Sequence, residues 1–250
     1  MKSLVDIILP CFNSENTIED TINSILNQTF KEWTLFVIDD NSTDNTKELL
    51  KNYSSDQRIK IKNLNKNMGA AFCRNFLMKQ SLSKYVAFID SDDIWAPSKL
   101  KEQINFMENN RYNFTYTNFN TFKKNIEDRK NKEIILPDKF NYSTFIKNTS
   151  ICTSSVIIKR DIIKNNEFTN TPICEDYYFK CQLLQSDNAI NLKKTLTFYR
   201  ISKNSLQSNR MKNLYWVWSI NRKFNKLSFI ENIISVLSIS INSLLKYGLK

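Results

Sequence analysis

The chain has 250 residues, 41% of them hydrophobic, and a formal net charge of +11. That suits one large α/β domain, or one domain with a small appendage, and excludes wholesale disorder. With no histidine and only two glycines, Gly69 and Gly248, it excludes Ser-His-Asp and Cys-His catalysis and imidazole metal sites, and disfavours glycine-rich phosphate loops. Any metal must be held by oxygens or thiolates. The five cysteines (Cys11, Cys73, Cys152, Cys174 and Cys181) are scattered and form no CxxC, so they read as reduced thiols of a cytosolic chain. The first apolar run is broken by Asp6 and stopped by Pro10, which predicts a strand rather than a signal peptide. The positive balance fits nucleic acid, an anionic membrane or phosphorylated ligands. It equally fits the Lys-, Asn- and Ile-rich usage of an AT-rich genome.

Val5 to Pro10 predicts a strand, and Asn13 or Ser14 can cap a helix with Ile18, Ile22, Ile25 and Leu26 on one face. Thr34 to Ile38 predicts the next strand, ending on Asp39-Asp40. Ser42-Thr43-Asp44 can cap a helix through Leu49-Leu50. Strand Ile59 to Leu64, helix Gly69 to Met78 and strand Tyr85 to Ile89 follow. Pro97 suits the first position of a helix through about Met107, and Phe114 to Phe119 is another strand. Lys123 to Lys132 is charged and aperiodic, a loop or local insertion. A short helix near Tyr142 to Lys147, a strand at Ser155 to Lys159, a helix from Glu175 and a strand near Ala189 to Tyr199 complete the pattern. Repeated β-α units imply a mostly parallel, doubly wound sheet, with ligands at the carboxyl ends of its strands.

From Asn213 the pattern changes. Ile230, Ile233, Ile234, Leu237, Ile241, Leu244 and Leu245 recur at helical spacing, with Glu231, Asn232, Ser235, Ser238 and Asn242 on the other face. A spanning helix needs about 20 mostly apolar residues, and this stretch reads as too interrupted. Trp216, Trp218, Arg222, Lys223 and Lys226 precede it. The combination suits a helix lying on an anionic membrane. The alternative is a C-terminal helix docked on its own domain or on a second subunit of a homodimer.

Two acidic clusters fall at predicted strand ends: Asp39-Asp40, and Asp90-Ser91-Asp92-Asp93. Clustered carboxylates repel one another unless a cation compensates them. Asp90 and Asp92, two apart on an extended end, point the same way. Such a pair suits Mg²⁺ or Mn²⁺ shared with substrate phosphates, as in a nucleotide diphosphate. Read alone, the acidic turn also fits simple strand termination and helix capping. Glu175-Asp176 alone also fits helix-dipole stabilisation.

Together the segments VDIILPCFNSENTIEDTINSILNQTF, LFVIDDNSTDNT, NKNMGAAFCRN and YVAFIDSDDIWAPSKL resemble glycosyltransferase family 2, in order and spacing, from about residue 3 to residue 110. CEDYYF at Cys174 to Phe179 is similar to that family's Glu-Asp pair. FYRISKNSLQS at Phe198 to Ser208 looks like members that build bacterial surface polysaccharides (O-antigen or capsule). Between Thr121 and Thr171 the likeness is loose. The resemblance implies a GT-A, Rossmann-like domain over 1–212, with a nucleotide-binding half (1–110) and an acceptor half (111–212), followed by an amphipathic tail (213–250). It implies transfer of a hexose from a UDP-sugar, with inversion, to a hydroxyl of a glycan acceptor, one that can be undecaprenyl-diphosphate-linked. The enzyme would sit in the cytoplasm, peripheral at the inner face of the membrane.

The resemblance also implies roles. Asp40 would accept a hydrogen bond from uracil. Pro10 would line the base pocket, with Asn13 and Glu15 near its rim. Asp92 would ligate Mg²⁺ or Mn²⁺, with Asp90 near the ribose or the metal's water shell, and Asp93 would orient a neighbour or the acceptor. Asp176 would be the general base, with Glu175 beside it. Arg74 would brace the nucleotide side or pair with an acid. Some members carry a histidine near the late-strand arginine; here Tyr199-Arg200-Ile201-Ser202 has none. Arg200, Lys203 or a water would contact the diphosphate instead, unless Arg200 forms a surface salt bridge. Competing readings are weaker. A sugar-phosphate nucleotidyltransferase lacks its glycine-rich loop, a dehydrogenase lacks GxGxxG, and a non-catalytic basic module finds no nucleic-acid motif.

Overall fold

In the computed structural model, which describes residues 3–128, 133–201 and 210–247, the run Val5–Cys11 forms β1, buried from end to end. There follow α1 (Ile18–Leu26), β2 (Trp33–Asp39), α2 (Thr46–Lys51), β3 (Ile59–Asn63), α3 (Ala70–Gln80) and β4 (Tyr85–Phe88). Then come β5 (Ile94–Trp95), α4 (Lys99–Asn110), β6 (Phe114–Phe122), β7 (Lys139–Phe140), α5 (Tyr142–Phe145), β8 (Ile157–Lys159) and α6 (Arg160–Ile163). Helix α7 (Glu175–Ser186), β9 (Ala189–Arg200), α8 (Arg210–Lys223) and α9 (Phe229–Tyr247) complete the order.

The strands join one sheet in the order β3-β2-β1-β4-β8-β6-β9-β5, with β7 pairing β9. β1, β2, β3 and β4 are parallel neighbours, and β6 and β9 pair in parallel. Only the short β8, β5 and β7 run against their neighbours. The mostly parallel sheet is therefore present, with β8 inserted antiparallel between β4 and β6. Three residues of strand carry too little periodicity to reveal direction in the sequence.

Side chains alternate across the sheet. Val5, Ile7, Leu9 and Cys11 pack with α1 and α4 residues such as Ile22 and Leu100 on one face. Ile8 and Phe88 pack with Cys73 and Leu77 of α3 and Phe179 and Leu183 of α7 on the other. Burying both faces explains why these strands read as near-continuous apolar runs.

Several local expectations change. The residue before α1 is Thr17, not Asn13 or Ser14, whose polar groups are drawn instead to the next loop. Of Ser42-Thr43-Asp44, it is Asp44 that accepts from the backbone N–H of Thr46, at 3.0 Å. Pro97 precedes α4, which begins at Lys99. The segment Lys123 to Lys132 contains a short 3₁₀ turn at Ile126–Asp128, and residues 129–132 lie outside those described.

Helix α9 is docked the unexpected way round. Asn232 and Ser235, from its polar stripe, are fully buried. Asn221 of α8 donates to Asn232 Oδ1 at 3.0 Å and to Ser235 Oγ at 2.9 Å. Ser235 donates to the Ile146 carbonyl at 2.5 Å, and Asn242 to the Lys147 carbonyl at 3.1 Å. The apolar stripe faces outward, with Ile230 69%, Leu237 58% and Leu245 77% exposed. The stretch Phe229–Lys246 is also long and apolar enough to cross a membrane by length and composition, which corrects the reading that it is too interrupted.

Candidate active site

Parallel pairing sets the edge on which the acids collect. Cys11 of β1 is level with Asp39 of β2, so the loops after both strands leave the sheet together. Asn13, at φ +49°, accepts the Thr43 N–H on its side-chain oxygen at 2.8 Å. Glu15 accepts the Asn45 N–H at 2.9 Å, and its own N–H donates to Asp44 at 3.0 Å. Asn13 and Glu15 therefore build a rim by tying two loops together. Pro10 lies buried in β1 beneath it.

Asp39 and Asp40 divide the work. Asp39 is fully buried and accepts the Ser42 N–H at 3.0 Å, closing its own turn. Asp40 reaches the segment before α3, accepting the N–H groups of Met68 at 2.6 Å and Gly69 at 2.8 Å. Gly69 has φ +85°, a conformation glycine adopts without steric cost. It lets two successive N–H groups converge on one carboxylate. A carboxylate offers about four lone-pair sites, so Asp40 retains acceptor capacity.

The second cluster follows β4. Asp90 accepts from Arg74 Nη2 at 2.5 Å. Asp92 is half-buried; its burial, then the charge of Asp90, push its carboxyl up to about 6. Two carboxylates crowded until one is reluctant to ionise suit a cation. Asp93 is fully buried and already used, accepting the Arg200 N–H at 3.0 Å and the Ser154 hydroxyl at 2.5 Å. Among the described residues no group of three or more acidic or thiol side chains is poised for a metal. An ion held by Asp90 and Asp92 would have to take its remaining ligands from phosphates and water, the usual habit of Mg²⁺.

Arg74, on α3, joins this cluster to the start of α7. Its side chain is 6% exposed, and Nη1 donates to Glu175 at 2.7 Å while Nη2 holds Asp90. Of the two readings of Arg74, this geometry carries the ion pair. Burial raises Glu175 despite that partner.

Asp176, next along α7, is held differently. Thr153 donates to Asp176 Oδ2 at 2.5 Å and Lys180 Nζ at 2.6 Å. Burial alone would raise this carboxyl; the Lys180 ammonium overrides it and holds it at about 2. Lys180 also donates to the Ile151 carbonyl at 2.8 Å, so its own position is fixed.

Arg200, 7% exposed, donates to the Asp92 carbonyl at 2.8 Å, to the Lys124 carbonyl and to Asp20 at 2.9 Å, and stacks on Phe122. These bonds make Arg200 a buried clamp on the acidic turn rather than a surface salt bridge. Lys203 lies outside the described residues. Lys180 was missed in the sequence, although its i,i+4 spacing from Asp176 is legible. Thr153 and Ser154 carry no local signal, because a distant loop brings them in.

Residues 6–167 match the profile of Glycosyl transferase family 2. The chain belongs to that family. It is 36% identical over 242 residues to the Escherichia coli protein named UDP-Glc:alpha-D-GlcNAc-diphosphoundecaprenol beta-1,3-glucosyltransferase WfgD, covering 95% of this chain and 94% of that one. It is 33% identical over 256 residues to WfaP of the same organism, which carries the same activity name, covering 98% and 95%. The crystal structure of S. aureus TarS 1-349 in complex with UDP-GlcNAc superposes with a TM-score of 0.74 at 20% identity, covering 98% of this chain and 73% of that one. The GT-A fold and the identity of this glycosyltransferase as an enzyme are thereby established.

Proposed function

We propose that this glycosyltransferase moves a hexose from a UDP-sugar to a hydroxyl of an undecaprenyl-diphosphate-linked glycan, during assembly of a bacterial surface polysaccharide. The observation that carries the reading is the near end-to-end similarity to WfgD, whose name specifies both UDP-glucose and a diphosphoundecaprenol acceptor. The acidic edge supports it, since it combines a nucleotide-side cluster with a separately held carboxylate. The transferase domain is read as 1–212 and the tail as 213–250, although α8 (Arg210–Lys223) crosses that boundary and packs with α9 on the same core; the lipid acceptor would bring the enzyme to the cytoplasmic face of the membrane.

In this reading Asp40 accepts from the uracil ring, in a pocket lined by Pro10 and rimmed by Asn13 and Glu15. Asp92 and Asp90 would hold Mg²⁺ or Mn²⁺, an ion that would supply positive charge against the departing diphosphate. Asp176 takes the proton of the attacking hydroxyl. Arg74 and Arg200 fix the acids rather than touching sugar. Attack opposite the leaving group inverts the anomeric carbon, so a UDP-α-sugar yields a β-linkage.

UDP release should be measured with UDP-glucose, UDP-galactose and their N-acetyl forms. One of these donors should turn over, with activity lost in chelator and restored by Mg²⁺ or Mn²⁺. Full activity in chelator contradicts the role given to Asp90 and Asp92.

A further inference from the structure

The docking of α9 departs from the usual rule for a surface helix, in which the apolar stripe packs inward: Ile239 and Val236 join the core, but the longer apolar stripe stays outside. Its polar residues Asn232 and Ser235 are spent on hydrogen bonds to the domain. Two positions along a helix turn about 200°, so Ile230, Ile234, Leu237 and Ile241 point away from that contact. They are 46% to 69% exposed. Trp218 of α8 packs edge-on against the exposed Phe229 and widens the apolar surface. An apolar strip of this length marks an interaction site.

We propose that α9 is the surface by which the enzyme docks on an anionic phospholipid leaflet, lying flat with its Ile230-to-Leu245 stripe in the lipid. Charge selects this occupant. Residues 210–247 carry six basic side chains and one acidic side chain, Glu231. Arg222, Lys223 and Lys226 are exposed at the turn into α9, where they meet lipid phosphates. A crossing orientation is disfavoured, because it would strip Asn232, Ser235 and Asn242 from their partners and expose them to hydrocarbon.

The placement serves the acceptor, and in this respect it rests on the lipid-linked reading above. Near its C-terminal end α9 touches the loop that holds Asp176. Asn242 bonds the Lys147 carbonyl, Lys246 donates to Ser150 at 3.2 Å, and Thr153 of the same loop holds Asp176. The leaflet contacted by α9 therefore lies beside the acceptor side of the site, where a lipid-anchored sugar would emerge.

The test is flotation of the full chain with phosphatidylglycerol-containing vesicles and with neutral phosphatidylcholine vesicles. The wild type should float with the anionic vesicles, and less so as salt rises. The variant I234N/L237N/I241N should lower partitioning at least about tenfold. K223E/K226E should lower the preference for anionic lipid. Both should keep the thermal midpoint and UDP-sugar turnover of the wild type, since every substituted side chain is exposed. Wild-type protein that stays unbound overturns the proposal, as does unchanged flotation of the apolar variant. A dimer that the apolar variant converts to monomer also overturns it, assigning the stripe to a second copy. Loss of vesicle binding with intact donor turnover sinks only this docking surface, whereas absent donor turnover sinks the proposed reaction.

Discussion

Asp176→Asn is expected to lower transfer by about 10²–10⁴-fold, the range supplied by a positioned general base. Asparagine keeps the shape of the side chain, and its oxygen can still accept from Thr153 and Lys180, which now bond Asp176 Oδ2. The fold should therefore survive while the proton acceptor disappears. The Lys180 ion pair holds Asp176 ionised down to about 2, so the carboxylate proposed as the base is charged throughout the working range. Glu175→Gln is the control. It retains an acceptor for Arg74 and should leave a larger share of activity. If Asp176→Asn turns over normally and Glu175→Gln does not, the base is Glu175.

Arg74→Met should both weaken the fold and disable the site. The arginine is the only described group that bonds both Asp90 and Glu175. Removing it leaves two carboxylates facing each other without the shared cation. Breaking a buried ion pair costs about 3–5 kcal/mol. The lower end is expected here, because the Asp90 side chain is 32% exposed and water offsets part of the loss. Urea unfolding should show a lower midpoint with an unchanged slope. Arg74→Lys should rescue little, since a point-charge ammonium does not span two acids as the guanidinium fork does. A wild-type midpoint in Arg74→Met would remove the bridge from the account.

The strands that build the site were legible because β1 and β4 are buried on both faces and β2 is buried or half-buried, leaving apolar runs, two of which (β2 and β4) lead into aspartates. Carboxyl-edge acids on a parallel sheet then pointed to a ligand site. Which acid does what was less legible. Asp39 and Asp40 are adjacent and chemically identical, yet one closes a turn and the other fastens the Gly69 segment. That difference depends on a loop some 30 residues away. The partnership of Arg74 with Glu175 spans 101 residues and leaves no local trace. The face of α9 that meets the domain was the least legible feature. Its amphipathic pattern is plain, but amphipathy does not say which side is inward. Asn221, on another helix, decides that by offering partners to Asn232 and Ser235.

The most direct measurement is the structure of the product formed from the UDP-α-sugar that turns over and an undecaprenyl-diphosphate-linked glycan acceptor, with Mg²⁺ or Mn²⁺ present. The linkage is read by NMR, alongside the UDP released. A β-linked hexose with one UDP released per linkage is expected, with transfer by Asp176→Asn at least about 100-fold slower. An α-linkage, or full transfer by Asp176→Asn, would contradict the proposed reaction.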